Sequence, residues 1–445
     1  MKDRFGWKWP AGGVTPWRQP HLSRRVFFRH LAAGVGGYFL LPVRPMETVA
    51  RAAAAPVGKA KYCVMVLMAG GPSHMDTFDL KEGAWTPSFF NPTGFNGVNF
   101  PQGLMPKIAE QLESVALVRS VRSWALVHGL VQTWVQIARN PLSGLSKIAP
   151  HIGSVVSLEL GSQSADQVLP AFVSLNANTG PDNGYFAPQH GPFYVSPGGG
   201  GLPNSTHPLG SAVFQRRYDM LLHMDAEERA APSTGGGAGQ SVAFNEAARR
   251  LVDHAAVRNV FTFDQNQRNL YGNTSFGNAC IAARNLIRAN LGTRFIQITI
   301  GGWDNHTNIY QPNAALQAAA RQFDQGLGAL ISDLKAEGLL EQTLIVALGE
   351  FGRTVGPLNS SAGRDHWAQQ AVLFAGAGIR GPKAIGATDA VAQNTTEPGW
   401  ARERDIRHED IAATIYSAMG INGESVFHIL FNLSPKELHK HYSLQ

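Results

Sequence analysis

Residues 62–69 read YCVMVLMA, eight positions without a charge, and the run stops at Gly70-Gly71-Pro72. A strand with one wet face alternates apolar and polar side chains. A run this uniform belongs to a strand covered on both faces, the situation in a parallel sheet flanked by helices. Similar short runs recur at 115–118, 171–175, 295–300, 344–348 and 371–374, and helical periodicity fills gaps at 246–258, 278–291 and 314–337. Strand, helix and strand in succession predict an α/β fold, a doubly wound and mostly parallel sheet with helices on both faces.

With 44% hydrophobic and 16% charged residues in a chain of 445, there is enough apolar material for one large core. The expected organisation is a targeting segment and linker over 1–58, then a single α/β domain over 59–445. Between about 176 and 240 the composition shifts to Gly, Pro, Asn and Ser, with runs Gly198 to Gly201 and Gly235 to Gly237. That stretch lacks the apolar periodicity for a core of its own and reads as a long surface excursion, either a lid or a decoration without chemical role. Neither internal repeats nor coiled-coil heptads are evident.

The formal charge of +6 would point to a nucleic-acid partner if it were spread through the fold. It is not. Residues 1–60 hold ten Lys or Arg against Asp3 and Glu47, a local charge of +8, so the remaining chain carries about −2 and no nucleic-acid partner is expected. The basic segment instead matches a targeting signal. Ser23-Arg24-Arg25-Val26-Phe27-Phe28 fits the twin-arginine pattern, 31–41 is apolar and Gly-rich, and 50–55 offers small residues for cleavage. Twin-arginine export would place the mature chain in the periplasm or outside the cell. The apolar run has 11 residues, and nothing later approaches the ~20 needed to cross a bilayer, so no stable span is expected in the mature chain. Cys63 and Cys280 are the two cysteines; a disulfide is open to them, but two cysteines in a large core more often behave as buried apolar residues.

In an open parallel sheet, ligands bind beyond the carboxyl ends of the strands. Three loops there are rich in metal-binding residue types. After the first strand comes GGPSHMDTFD, with His74 and Asp76; after 295–300 comes GGWDNH, with Asp304 and His306; after 344–348 comes LGEFGRT, with Glu350 and Arg353, followed by GRDHW, with Arg364, Asp365 and His366. Several carboxylates and imidazoles gathered at one sheet edge need a cation or solvent to balance them. Such ligands suit zinc, manganese or calcium, which the sequence does not distinguish. Two such ions can clamp the attacking and leaving oxygens of a phosphoryl or sulfuryl group, and Arg353 or Arg364 would grip the anion.

Each motif also has a plainer reading. His74 and Asp76 fit a capped local turn. Asp304 and His306 would fall on opposite sides of a continuing strand and meet only if the chain has turned. Glu350 suits a helix start, and Asp365-His366 could simply orient a loop.

The runs GGPSHMDTFD, GGWDNH, LGEFGRT and GRDHW, in this order behind a twin-arginine leader, resemble the bacterial family named domain of unknown function 1501, over residue 61 to the C-terminus. That family is grouped by similarity with the alkaline phosphatase and sulfatase superfamily, which implies a doubly wound sheet and a two-metal site. By resemblance, Asp304, His306 and His366 correspond to ligands of one metal. Glu350 stands where the superfamily has an Asp-His pair, and His74 or Asp76 would complete the second metal.

The departures are specific. Ala69-Gly70-Gly71 stands where an aspartate is usual, and Phe351 stands where the second metal has a histidine. Around 124–131, where a Ser, Thr or Cys nucleophile is usual, there are only Ser123 and His128, which makes His128 a candidate ligand or base. The run Cys280-Ile281-Ala282-Ala283-Arg284 superficially resembles a sulfatase motif but lacks its proline and reads as helix packing. The resemblance implies a metal-dependent hydrolase of phosphate or sulfate esters, acting on a small anionic ester or a sulfated or phosphorylated glycan. The alternative is a non-catalytic metal- or carbohydrate-binding protein on the same fold, with Trp303 and Trp367 as gripping aromatics.

Overall fold

The computed structural model describes residues 57–422 except 143–147, 162–166, 178–179, 225, 227–244, 247, 253 and 402. The twin-arginine motif, the apolar run behind it and the cleavage residues lie outside these. In chain order the main sheet is built from β1 (Tyr62–Met68), β2 (Val115–Arg122), β3 (Phe172–Leu175), β4 (Phe193–Val195), β5 (Phe295–Ile300), β6 (Thr343–Leu348), β7 (Gln369–Gly376) and β8 (Lys383–Ile385). Their order across the sheet is β8-β2-β7-β6-β1-β5-β3-β4. Every strand runs the same way except β7, which is antiparallel to both β2 and β6.

β1 lies at the centre, with Cys63 opposite Phe295 of β5 on one side and Leu344 of β6 on the other. All seven of its residues are buried. Strand periodicity then sorts them between two cores. Tyr62, Val64, Val66 and Met68 join one cluster with residues of α3 (Ser275–Ala289) and α4 (Ala315–Ala336). Cys63, Met65 and Leu67 join another with residues of α1 (His128–Ile137), α2 (Ile152–Leu160) and α5 (His408–Ala418). The result is the expected three-layer α/β arrangement. At about 1.5–3 kcal/mol per buried side chain, β1 alone contributes on the order of 10 kcal/mol of gross hydrophobic free energy.

The ends of α3 follow from local chemistry. Thr274 caps its start by accepting from the Gly277 N–H at 3.0 Å, and Asn290 closes it in the left-handed region. On α4, buried Asp324 accepts from the backbone N–H of Lys107 and Ile108 at 3.1 and 2.8 Å, which pins the chain leading into β2.

Several elements differ from the sequence expectation. The stretch 246–258 is not one continuous helix: a separate helix, Ala255–Phe261, starts after His254 because Val257, Val260 and Phe261 are the residues that reach the core. The edge strands β4 and β8, three residues each, are too short for a periodic signal. The Gly- and Pro-rich stretch contributes β4 to the sheet and carries the helix Ser211–Met224. Cys63 and Cys280 are free and buried in different clusters on opposite faces of the sheet, so no disulfide joins them. Among the described residues no helix is long and apolar enough to cross a membrane.

Candidate metal centre

Three loops at the carboxyl ends of β1, β5 and β6 are tied to one another. The chain leaves β1 through Gly70, at φ +113°, where a Cβ would lie 2.5 Å from the Asp304 nitrogen. Only glycine lets the loop after β5 approach this closely. The Gly70 N–H in turn donates to Glu350 Oε1 at 2.9 Å, joining the loop after β6. β5 ends at Ile300 and the chain turns at Gly302, so Asp304 and His306 are not on opposite faces of a strand; His306 Nε2 lies 2.9 Å from Asp304 Oδ1. His366 is delivered by a two-residue pairing in which it stands opposite Arg353.

These placements bring four side chains together. His366 Nε2 is 3.1 Å from His128 Nε2 and 3.2 Å from His306 Nε2, and Asp304 Oδ1 is 3.4 Å from His128 Nε2 and 3.6 Å from His366 Nε2. Among the described residues His128, Asp304 and His366 offer one ligand atom each, all within 4.8 Å of one another. Phe351 is buried against the His128 and His366 rings, with centroids 4.8 and 4.6 Å away, and forms an apolar back wall.

The far nitrogen of every imidazole is engaged. His128 Nδ1 is 2.6 Å from Glu350 Oε1, His306 Nδ1 is 3.0 Å from Asp365 Oδ1, and His366 Nδ1 is 2.9 Å from the Leu126 carbonyl oxygen. A carbonyl or carboxylate oxygen only accepts, so each Nδ1 carries the proton. With the proton on Nδ1, the Nε2 atoms of His128 and His366 face each other as lone pairs 3.1 Å apart, a repulsion that a cation between them would relieve, while His306 Nε2 accepts from Arg353. A proton is a poor choice at His366, whose pKa is lowered by burial and by the Arg353 charge, against the Leu126 carbonyl. Metal-binding histidines are characteristically held in this way, with the second nitrogen donating to a carboxylate or carbonyl.

Asp304 stays ionised. Burial pushes its carboxyl up, but the Arg353 hydrogen bond and charge bring it down to about 2. Asp365 is also held below the usual range, by hydrogen bonds from Asn359 and His306. Glu350 is fully buried, and its Oε1 accepts from Gly70, Gln132 and His128, which places it behind His128.

The arginines are occupied. Arg364 forms a buried pair with Asp76, Nε to Oδ2 at 2.8 Å, and its remaining N–H groups go to Tyr310, Thr354 O and Gly356 O. Arg353 donates to Asp304 Oδ1 at 2.5 Å, to His306 Nε2 at 3.1 Å and to the carbonyls of Gly70, Gly71 and Arg364. Neither has a free donor for a bidentate grip on substrate. His74 lies outside the group: its Nε2 is 2.8 Å from the Ala392 carbonyl and burial lowers its pKa. Asp76 is likewise engaged elsewhere, by Arg364 and the Tyr310 hydroxyl at 2.7 Å. Trp303 is buried edge-on to Phe323, which removes it as an aromatic platform, and Trp367 Nε1 donates to the Gln393 carbonyl.

Sequence reasoning missed Gln132, Asn359, Tyr310 and the Leu126 carbonyl. Gln132 had a signal, since it lies four residues after His128 and so on the same face of α1. A backbone carbonyl has none.

Residues 60–438 match the family model described as Protein of unknown function (DUF1501). The chain belongs to that family. No curated protein matches the sequence of this DUF1501 member. Among solved structures it is similar to the lipoteichoic acid synthase LtaP from Listeria monocytogenes, with 10% identity, 83% of this chain and 74% of that chain covered, and a TM-score of 0.40. It is also similar to the PsFucS1 sulfatase from Pseudoalteromonas sp., with 13% identity, 82% and 69% covered, and a TM-score of 0.41. A protein in the alkaline phosphatase superfamily from Vibrio parahaemolyticus is similar at 12% identity, with 82% and 69% covered and a TM-score of 0.37.

Proposed function

We propose that this DUF1501 protein is an exported, metal-dependent hydrolase of phosphate or sulfate esters, with His128, Asp304 and His366 holding a divalent ion. The observation that carries the reading is the meeting of two imidazole nitrogens and a carboxylate oxygen within 4.8 Å, each imidazole fixed by an acceptor behind it. Two nitrogens and one oxygen suit zinc or manganese better than calcium, which takes oxygen ligands. Such an ion would act there as a Lewis acid on an ester oxygen and so stabilise the charge that develops on it.

The chain's own residues supply the frame. Glu350 and the Leu126 carbonyl hold protons on the far sides of His128 and His366, keeping both near nitrogens as lone pairs. Arg353 holds Asp304 in place and ionised. Asp304 is 49% exposed and His306 40%, which leaves the centre open to a polar substrate. Because both arginines spend their donors on the protein, neither offers a fork to an anionic ester, and a bound ion would have to supply that attraction.

The test is elemental analysis of the purified mature protein, with hydrolysis of 4-nitrophenyl phosphate and sulfate. Bound metal and turnover that disappear together in His366→Ala are expected; metal-free, inert wild-type protein would end the proposal. A second reading, metal binding without turnover, is favoured by Ser123, whose buried hydroxyl donates to the Ala125 carbonyl at 2.9 Å instead of facing the centre as a nucleophile. Arg24-Arg25 and the apolar run after them support the export part of the reading, and Arg24→Lys with Arg25→Lys is expected to keep the chain in the cytoplasm.

A further inference from the structure

We infer that Arg353 serves as a built-in second cation, so that the centre holds one divalent ion on His128, Asp304 and His366, and His306 is not a ligand. This rests on the metal-site reading above. The guanidinium is 1% exposed and its five N–H groups have five acceptors: Gly71 O at Nε, Arg364 O and His306 Nε2 at Nη1, Gly70 O and Asp304 Oδ1 at Nη2. Arginine keeps its charge in such a setting. Three backbone carbonyls therefore fix a permanent positive charge between an aspartate and an imidazole, the two donor types that a second metal ion would bridge.

Two consequences follow. The His306 Nε2 lone pair already accepts from Arg353 at 3.1 Å, whereas no guanidinium N–H reaches the Nε2 of His128 or His366 among the described contacts. The equivalent nitrogens are thus unequal: among the three imidazoles a metal meets competition from Arg353 only at His306, while the Asp304 carboxylate has lone pairs to share between Arg353 and an ion. The charges also balance at one ion. Asp304, Glu350 and Asp365 set against Arg353 leave two negative charges, which a single dication neutralises, while Asp76 and Arg364 cancel each other. A second dication would bring two uncompensated positive charges into a partly desolvated site. Arg353 is accordingly a positioning residue: it acts through Asp304 and His306 and has no donor left for substrate.

The experiment counts ions on the full mature chain, stripped with a chelator and titrated with zinc or manganese, with binding followed by calorimetry and confirmed by elemental analysis after dialysis. Arg353 is too deeply bonded to truncate safely, so the variants are taken around it. One ion per wild-type chain is expected. His306→Ala should retain that ion with affinity reduced no more than about 10-fold, the lower end for a supporting residue, while His366→Ala and His128→Ala lose more than roughly 100-fold. Two ions per wild-type chain, or His306→Ala failing as His366→Ala does, would overturn the inference and leave the hydrolase proposal standing. No ion on wild type would remove both.

Discussion

Glu350→Gln separates a residue that holds a ligand from one that is a ligand. The wild-type carboxylate is fully buried and accepts the His128 Nδ1 proton at 2.6 Å, alongside the Gly70 N–H and Gln132. A hydrogen bond to a charged group is worth about 1.5–3 kcal/mol against about 0.5–1.5 for a neutral pair, so exchanging carboxylate for amide weakens the hold on His128 by about 1–2 kcal/mol. At 1.4 kcal/mol per tenfold, metal affinity should fall by roughly 5- to 30-fold, within the range general for carboxylates behind metal-binding histidines. Stability should fall as well, because Glu350 Oε2 has no partner and an amide nitrogen there would be a buried donor without an acceptor, at about 1–3 kcal/mol. The two effects are read apart by measuring metal affinity with a chromophoric chelator well below the melting temperature, and melting in the metal-free protein. Wild-type affinity in a folded Glu350→Gln protein would refute the claim that Glu350 works through His128. Complete loss, equal to that of His128→Ala, would refute it too, since that is how a direct ligand behaves.

Asp76→Asn leaves Arg364 buried without its counter-charge and should cost about 3–5 kcal/mol in urea unfolding; a loss under about 1 kcal/mol would show that the pair is not structurally important. Gly70→Ala places a Cβ 2.5 Å from the Asp304 nitrogen at a φ of +113° and should abolish metal binding, whereas Gly301→Ala, with open space around it, should not; equal behaviour of the two would contradict the close approach of the loops. Asp324 provides a pH test. Burial pushes its carboxyl up to about 6 from 3.8, so the folded state holds the proton more tightly than the unfolded chain does. The pH-dependent part of its contribution should therefore grow as pH falls from 7 towards 4, by up to about 3 kcal/mol relative to Asp324→Asn, and level off above pH 6. Urea unfolding of both proteins across that range checks it, and a pH-independent difference would refute it.

Much of the fold could be read from the chain because hydrophobic burial writes itself into composition. The uniform runs of β1, β5 and β6 mark strands covered on both faces, and the loops after them are where the Asp- and His-bearing motifs stand. Strand direction leaves no such mark: the run in β7 reads like the others, yet its neighbours are antiparallel, because apolar content records burial and not polarity of the chain. Helix α1 was missed, and with it Gln132, since its signal is short and mixed.

The sequence by itself determined that the chain builds a two-faced sheet with imidazoles and carboxylates at the ends of particular strands, because those features depend on local residue order. Only the tertiary structure decided their roles. Glu350, Asp365 and Asp304 are all acids after strands, yet one stands behind His128, one behind His306, and one beside the Nε2 atoms of the imidazoles; Arg353 and Arg364 are both spent on internal acceptors. Those assignments depend on which atoms from distant loops come within 3 Å of each other, a distance that residue types and spacings along a chain do not encode.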